Sequence, residues 1–102
     1  MAYRAKTRRL VGAATTTLKP ILSPDPRRVW AAIQCSRAGP NNLIVVLYDK
    51  ADSSIYAQFE LSPTDVIVFS RYGDMPWDGA IAISSDTGLS SYVGGEVYLE
   101  KT

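Results

Sequence analysis

The chain has 102 residues, 46% hydrophobic and 21% charged, with one cysteine, no histidine and a net charge of +1. That length suits one domain of modest stability. Without imidazole, no Ser-His-Asp or Cys-His triad and no Cys/His zinc site can form, and a lone thiol closes no intrachain disulfide.

The net charge conceals a split. Residues 1–28 carry seven cations and one acid, while residues 29–102 carry four cations and nine acids. Residues 1–14 are basic and without clean periodicity, and they read as an arm in which a short helix is tolerated. Arg8 and Arg9 precede a short apolar run that ends at Thr15, too short for a signal peptide. No segment approaches the roughly 20 apolar residues of a membrane helix, and the lone thiol suits a reducing compartment; a soluble chain is expected. The β-branched residues 15–19 predict a first strand. Residues 20–26 hold three prolines, which exclude helix interior and central strand and predict a rigid connector.

From residue 28 the pattern is strands and turns. In residues 28–35, Val29, Ala31, Ile33 and Cys35 share one face and Trp30, Ala32 and Gln34 the other. Residues 37–42 are a turn. Residues 43–49 are apolar on both faces, which predicts cover on both sides: the core within, a neighbour or an arm without. Residues 55–61 alternate, with Ile55, Ala57, Phe59 and Leu61 opposite Tyr56, Gln58 and Glu60. Short strands are expected at 66–69, 80–84 and 96–100, with a loop over 71–79 and an ambiguous stretch at 89–95. Seven or eight short strands and no long helix predict an all-β chain, an antiparallel β-sandwich of jelly-roll type. The division is a basic arm and Pro-rich connector (residues 1–26) followed by a sandwich domain (residues 27–102).

Few residues suggest chemistry. Asp74 and Asp78 form a carboxylate pair of the kind used in glycoside hydrolysis or calcium binding, but both adjoin glycines, as turn acids do. Tyr72, Met75 and Trp77 offer either an aromatic platform or a loop folded over the core. Cys35 reads as a buried core residue rather than a reactive thiol activated by Arg37. Arg4, Lys6, Arg8 and Arg9, with Tyr3, suit phosphate, a disordered tail, or a strand added to a neighbour. No catalytic residue, cofactor or metal is expected.

Five segments in order carry a resemblance: Arg28-Val-Trp-Ala-Ala-Ile-Gln-Cys35, Leu43-Ile-Val-Val-Leu47, Phe59-Glu-Leu-Ser-Pro63, Gly79-Ala-Ile-Ala-Ile-Ser-Ser85 and Glu96-Val-Tyr-Leu-Glu100. Together they resemble small β-sandwich minor virion proteins of tailed bacteriophages, including head-decoration (cement) and fibre-associated proteins. The resemblance implies a non-enzymatic virion protein, assembled in the host cytoplasm, that stabilises the head by binding the major capsid protein or another virion protein. A homo-oligomer, a trimer first, would bury Leu43, Val45 and Leu47, or Tyr72 and Trp77, between subunits. The arm residues Arg4, Lys6, Arg8 and Arg9 would clamp an acidic patch on the shell or on an adjacent subunit. Two alternatives stand beside it. One is a carbohydrate-binding module at a tail or head fibre using Tyr72, Trp77 and Asp78. The other is nucleic-acid binding through the arm, which the small net charge disfavours. No membrane partner is expected.

Overall fold

The computed structural model of the chain describes residues 2–37, 41–49, 54–73 and 75–102. These form eight strands: β1 (Tyr3–Ala14), β2 (Lys19–Leu22), β3 (Arg28–Cys35), β4 (Leu43–Tyr48), β5 (Ile55–Leu61), β6 (Val66–Ser70), β7 (Ala80–Ser85) and β8 (Ser90–Lys101). They make two four-stranded sheets in the orders β1-β8-β3-β6 and β2-β7-β4-β5, with every pairing antiparallel. That interleaving of the chain between two sheets is the jelly-roll arrangement. The expected all-β antiparallel sandwich is what the chain forms.

The first third differs in detail from the sequence expectation. Residues 3–14, expected as a free arm with helical tolerance, are a strand paired with β8 from Tyr3↔Lys101 to Ala14↔Ser90. The threonines expected as a strand form the bend after it, where the Thr15 hydroxyl accepts the Thr17 amide N–H at 3.2 Å. A hydroxyl that captures a backbone donor in this way competes with the ladder, and here it prevails over β propensity. The Pro-rich connector contributes β2, an edge strand whose register slips between Pro20 and Leu22. Proline is tolerated at such an edge because no partner needs its missing N–H.

The core lies between the sheets. Phe69, Ile33, Leu43, Ile81, Ile83, Val45 and Cys35 are fully buried there. Cys35 is thus the core residue expected, its Sγ 3.7 Å from both the Ser90 hydroxyl and the Asn41 carbonyl. β8 runs from Ser90 through most of the stretch at residues 89–95 that the sequence left ambiguous. Gly94 permits this, because a Cβ there would stand 2.0 Å from the Ala32 carbonyl oxygen of β3. The long β1–β8 ribbon runs along a molecule of 48 × 30 × 22 Å.

Candidate functional site

Three surfaces carry the sequence-predicted residues: the end of the β1–β8 ribbon, the outer face of the first sheet, and a cleft beside Trp77.

At the ribbon end the chain's charge split closes on itself. The inward positions of β1 hold Arg4, Lys6 and Arg8, opposite Glu100, Tyr98 and Glu96 of β8. Lys6 Nζ lies 3.8 Å from Glu100, and Arg8 Nη1 lies 3.3 Å from Glu96 Oε1. Among the described residues Arg4 and Arg9 make no ion pair. Two of the four arm cations are therefore engaged within the chain itself.

Glu96 also holds Arg28, and both side chains are only 2% exposed. The Arg28 guanidinium donates Nε to Glu96 Oε2 at 2.9 Å, Nη1 to the Gly79 carbonyl at 2.9 Å and Nη2 to the Ser23 carbonyl at 2.6 Å. A bulge between Arg28 and Trp30 turns Arg28 inward. A buried guanidinium needs such partners, since desolvation of an unpaired charge is costly. Beside it, Asp25 takes Arg27 as a fork, Nε to Oδ1 and Nη2 to Oδ2 at 3.1 Å each. This hydrogen-bonded pairing with Arg27 holds the Asp25 carboxyl below its ordinary range, against a smaller opposing effect of burial. Arg27 and Arg8 also sit over the Tyr98 ring, 4.9 and 5.6 Å from its centroid. Arg71 binds the Arg28 and Pro26 carbonyls. These groups brace three segments against one another, and each guanidinium's partners lie within the chain. The sequence offered one signal for them, a glutamate in alternation near the end of the last strand.

The outer face of the first sheet carries apolar side chains on all four strands, interspersed with Thr7, Arg9, Gln34 and Ser70. Register places Val11, Val93, Gln34 and Val66 in one cross-strand row, and Thr7, Val97, Trp30 and Ser70 in another. Between them run Arg9, Gly95, Ala32 and Val68. Val11 is 59% exposed, Val66 55% and Val68 43%. Among the described residues, the charged side chains at outward positions of this sheet are Arg9 and Lys101, both positive.

The residues expected at an interface fall elsewhere. Leu43, Val45 and Leu47 point between the sheets and are buried in the core. Their burial under the first sheet of the same chain removes them from any subunit contact. The outward Val46 of the same strand is also buried, flanked by Gln58 and Ala82. Tyr72 is 84% exposed. Trp77 is half-buried, packs on the core and donates Nε1–H to the Ala80 carbonyl at 3.1 Å. Its ring partner is Tyr56 rather than Tyr72, at 5.4 Å between centroids and 60° between planes. One side of Trp77 faces a depression with Arg28, Arg71, Pro76 and Asp78; the other faces a cleft of about 370 Å³ lined by Pro24, Tyr48, Asp49, Tyr56, Gly79 and Ala80. Asp74, the expected partner of Asp78, lies outside the described residues. Among the described residues no cluster of three or more metal-ligating side chains occurs.

No family model matches the chain, and no curated protein matches its sequence. Among solved structures, the chain is similar to a subunit of Bacillus endospore appendages, described as a novel family of disulfide-linked pili. The TM-score is 0.60, over 94% of this chain and 87% of that chain, at 10% sequence identity. At that identity the likeness is one of fold.

Proposed function

We propose that this chain is a non-enzymatic structural protein that works in many copies, with the outer face of the first sheet as the contact between them. The observation that carries the reading is the set of exposed apolar side chains on that face, Val11, Trp30, Val66 and Val68, contributed by three of its strands. Four strands at about 4.8 Å spacing and roughly 3.3 Å per residue give a footprint on the order of 500 Å². A face of that size is comparable to the largest apolar patch of a typical monomer, about 300–600 Å², and smaller than the roughly 800 Å² that a stable contact takes from each partner, so the contact proposed is a weak one repeated over many copies. The β1 edge, by contrast, bears Arg4, Lys6, Arg8 and Arg9, and charges of this kind discourage edge-to-edge pairing.

The likeness to a pilus-forming chain supports a structural role for this fold. Buried Cys35 offers no thiol for cross-links between copies, so association here is non-covalent. The finer form of the proposal is a decoration (cement) protein on the head of a tailed bacteriophage, as the resemblance of residues 28–100 implies. Avidity over many copies would offset a small contact per copy.

Sedimentation over a concentration series tests the general claim: masses above 11.1 kDa support it, and a monomer at every concentration removes it. Pelleting of the purified chain with undecorated phage heads tests the finer one. A chain that stays in the supernatant with every head type removes it.

A further inference from the structure

A second cleft, of about 220 Å³, opens between Arg8 of the β1–β8 ribbon and residues 21–28, and its charged lining is Arg8, Asp25, Arg27, Arg28 and Glu96. These charges do not cancel. Asp25 is matched by the Arg27 fork. Glu96, the other carboxylate, is shared by two guanidiniums, Arg28 at 2.9 Å and Arg8 at 3.3 Å. One positive charge is left in excess. It lies at the mouth of the cleft, because Arg28 is 2% exposed and Arg8 58%.

The unused hydrogen-bonding capacity has the same sign. Among the described residues, Arg8 contacts Glu96 through Nη1 alone, so its Nε and Nη2 remain open. Arg27 gives its backbone N–H, Nε and Nη2 to Asp25 and keeps Nη1. Both guanidiniums sit over the Tyr98 ring, which gathers them at one place. A guanidinium on a ring face keeps its in-plane N–H groups for acceptors.

We propose that this cleft binds one phosphoryl group, as free phosphate or as the phosphate of a small ester, with Arg8 as a two-pronged donor and Arg27 Nη1 as a third. The arginine fork matches a phosphate in geometry and charge. Three donors on one anion suit a tetrahedral group with three or four acceptor oxygens better than a carboxylate with two. The volume falls below the roughly 300–1,000 Å³ of drug-sized sites, which fits a phosphoryl group and excludes a buried nucleotide. A cation finds both carboxylates of the lining already engaged.

Calorimetric titration of the full chain with inorganic phosphate, glycerol phosphate and succinate, at constant ionic strength, tests the assignment. The informative variants are Arg8→Gln, Arg8→Lys, which keeps the charge and loses the fork, and Asp25→Asn/Arg27→Gln, which removes a matched pair together with the third donor. Arg9→Gln is the control, since it removes the neighbouring cation from the opposite face of β1. Each is first matched to the wild type by circular dichroism. The expected result is saturable phosphate binding, reduced about tenfold or more by Arg8→Gln, reduced also by Arg8→Lys and by the double variant, and unchanged by Arg9→Gln. Glycerol phosphate bound as tightly as phosphate assigns the site to esters, and weaker binding assigns it to the free ion. No saturable phosphate binding, binding undiminished by Arg8→Gln, equal loss with Arg9→Gln, or tighter binding of succinate would overturn the proposal. The self-association proposal survives any of these outcomes, because Arg8 lies on the inward side of β1, away from that contact.

Discussion

Arg28 and Glu96, 68 positions apart, form a buried ion pair at 2.9 Å that ties β3 to β8. Glu96→Gln leaves the Arg28 charge buried with only neutral acceptors. Removing one partner of such a pair costs roughly 3–5 kcal/mol. Urea denaturation is expected to show a loss of that size, and the double variant Arg28→Met/Glu96→Leu less than the sum of the two single losses. Equal additivity would mean that the two side chains do not act as a pair.

The Lys6–Glu100 pair is the contrast, 3.8 Å apart with both side chains about two-fifths exposed. Exposed pairs contribute about 0–1 kcal/mol, less at high salt. Lys6→Ala is expected to shift the urea midpoint only slightly, and by less in 1 M salt. A loss as large as that of Glu96→Gln would contradict the burial argument.

Asp25 sets an acid limb of the stability curve. Its folded-state pKa is lowered chiefly by the hydrogen bonds to Arg27. The stabilisation is therefore complete above the unfolded value of about 3.9 and is lost as pH falls through the lower folded value. Melting between pH 2 and 7 is expected to show a shallower acid decline for Asp25→Asn than for the wild type. Parallel curves would assign the decline to other carboxylates.

Gly94→Ala tests strand spacing. The added Cβ would meet the Ala32 carbonyl at 2.0 Å, and backbone cannot swing aside as a side chain can. The β3–β8 ladder must open, and destabilisation above about 3 kcal/mol is expected. At Gly12 the nearest atoms are the far end of the Tyr92 ring, so Gly12→Ala is expected to cost less. A reversed order in thermal melts would refute this reading.

The strands from β3 to β7 were legible because each is an alternating or continuous apolar run bounded by turn residues, and their expected limits match within a residue. The ends of the chain were harder to read. β1 is basic and β8 holds two glycines, so neither presents the apolar alternation of a core strand. Val97 and Leu99 suggest an inward face for β8, yet they point outward, while Glu96 faces in to meet Arg28 and Arg8. The charge split was visible as a sum, but its resolution within one chain depends on the twelve-residue β1–β8 register. Of the two covers expected for residues 43–49, the core is formed by Leu43, Val45 and Leu47 packed under the first sheet, while the outward Val46 is buried between Gln58 and Ala82 of its own sheet. An apolar run does not reveal which of its two faces meets the core. The Tyr56–Trp77 contact joins positions too far apart in sequence for any local pattern to connect.

The central claim is that the apolar outer face of the first sheet holds copies together. Its most direct test is the solution mass of the wild type beside Val68→Glu, a charge placed at a solvent-facing position of the edge strand β6 that leaves the core intact. The account predicts that the wild type rises above 11.1 kDa with concentration, and that the variant stays monomeric with an unchanged circular dichroism spectrum. A wild type monomeric at all concentrations, or a variant that associates equally well, would contradict it.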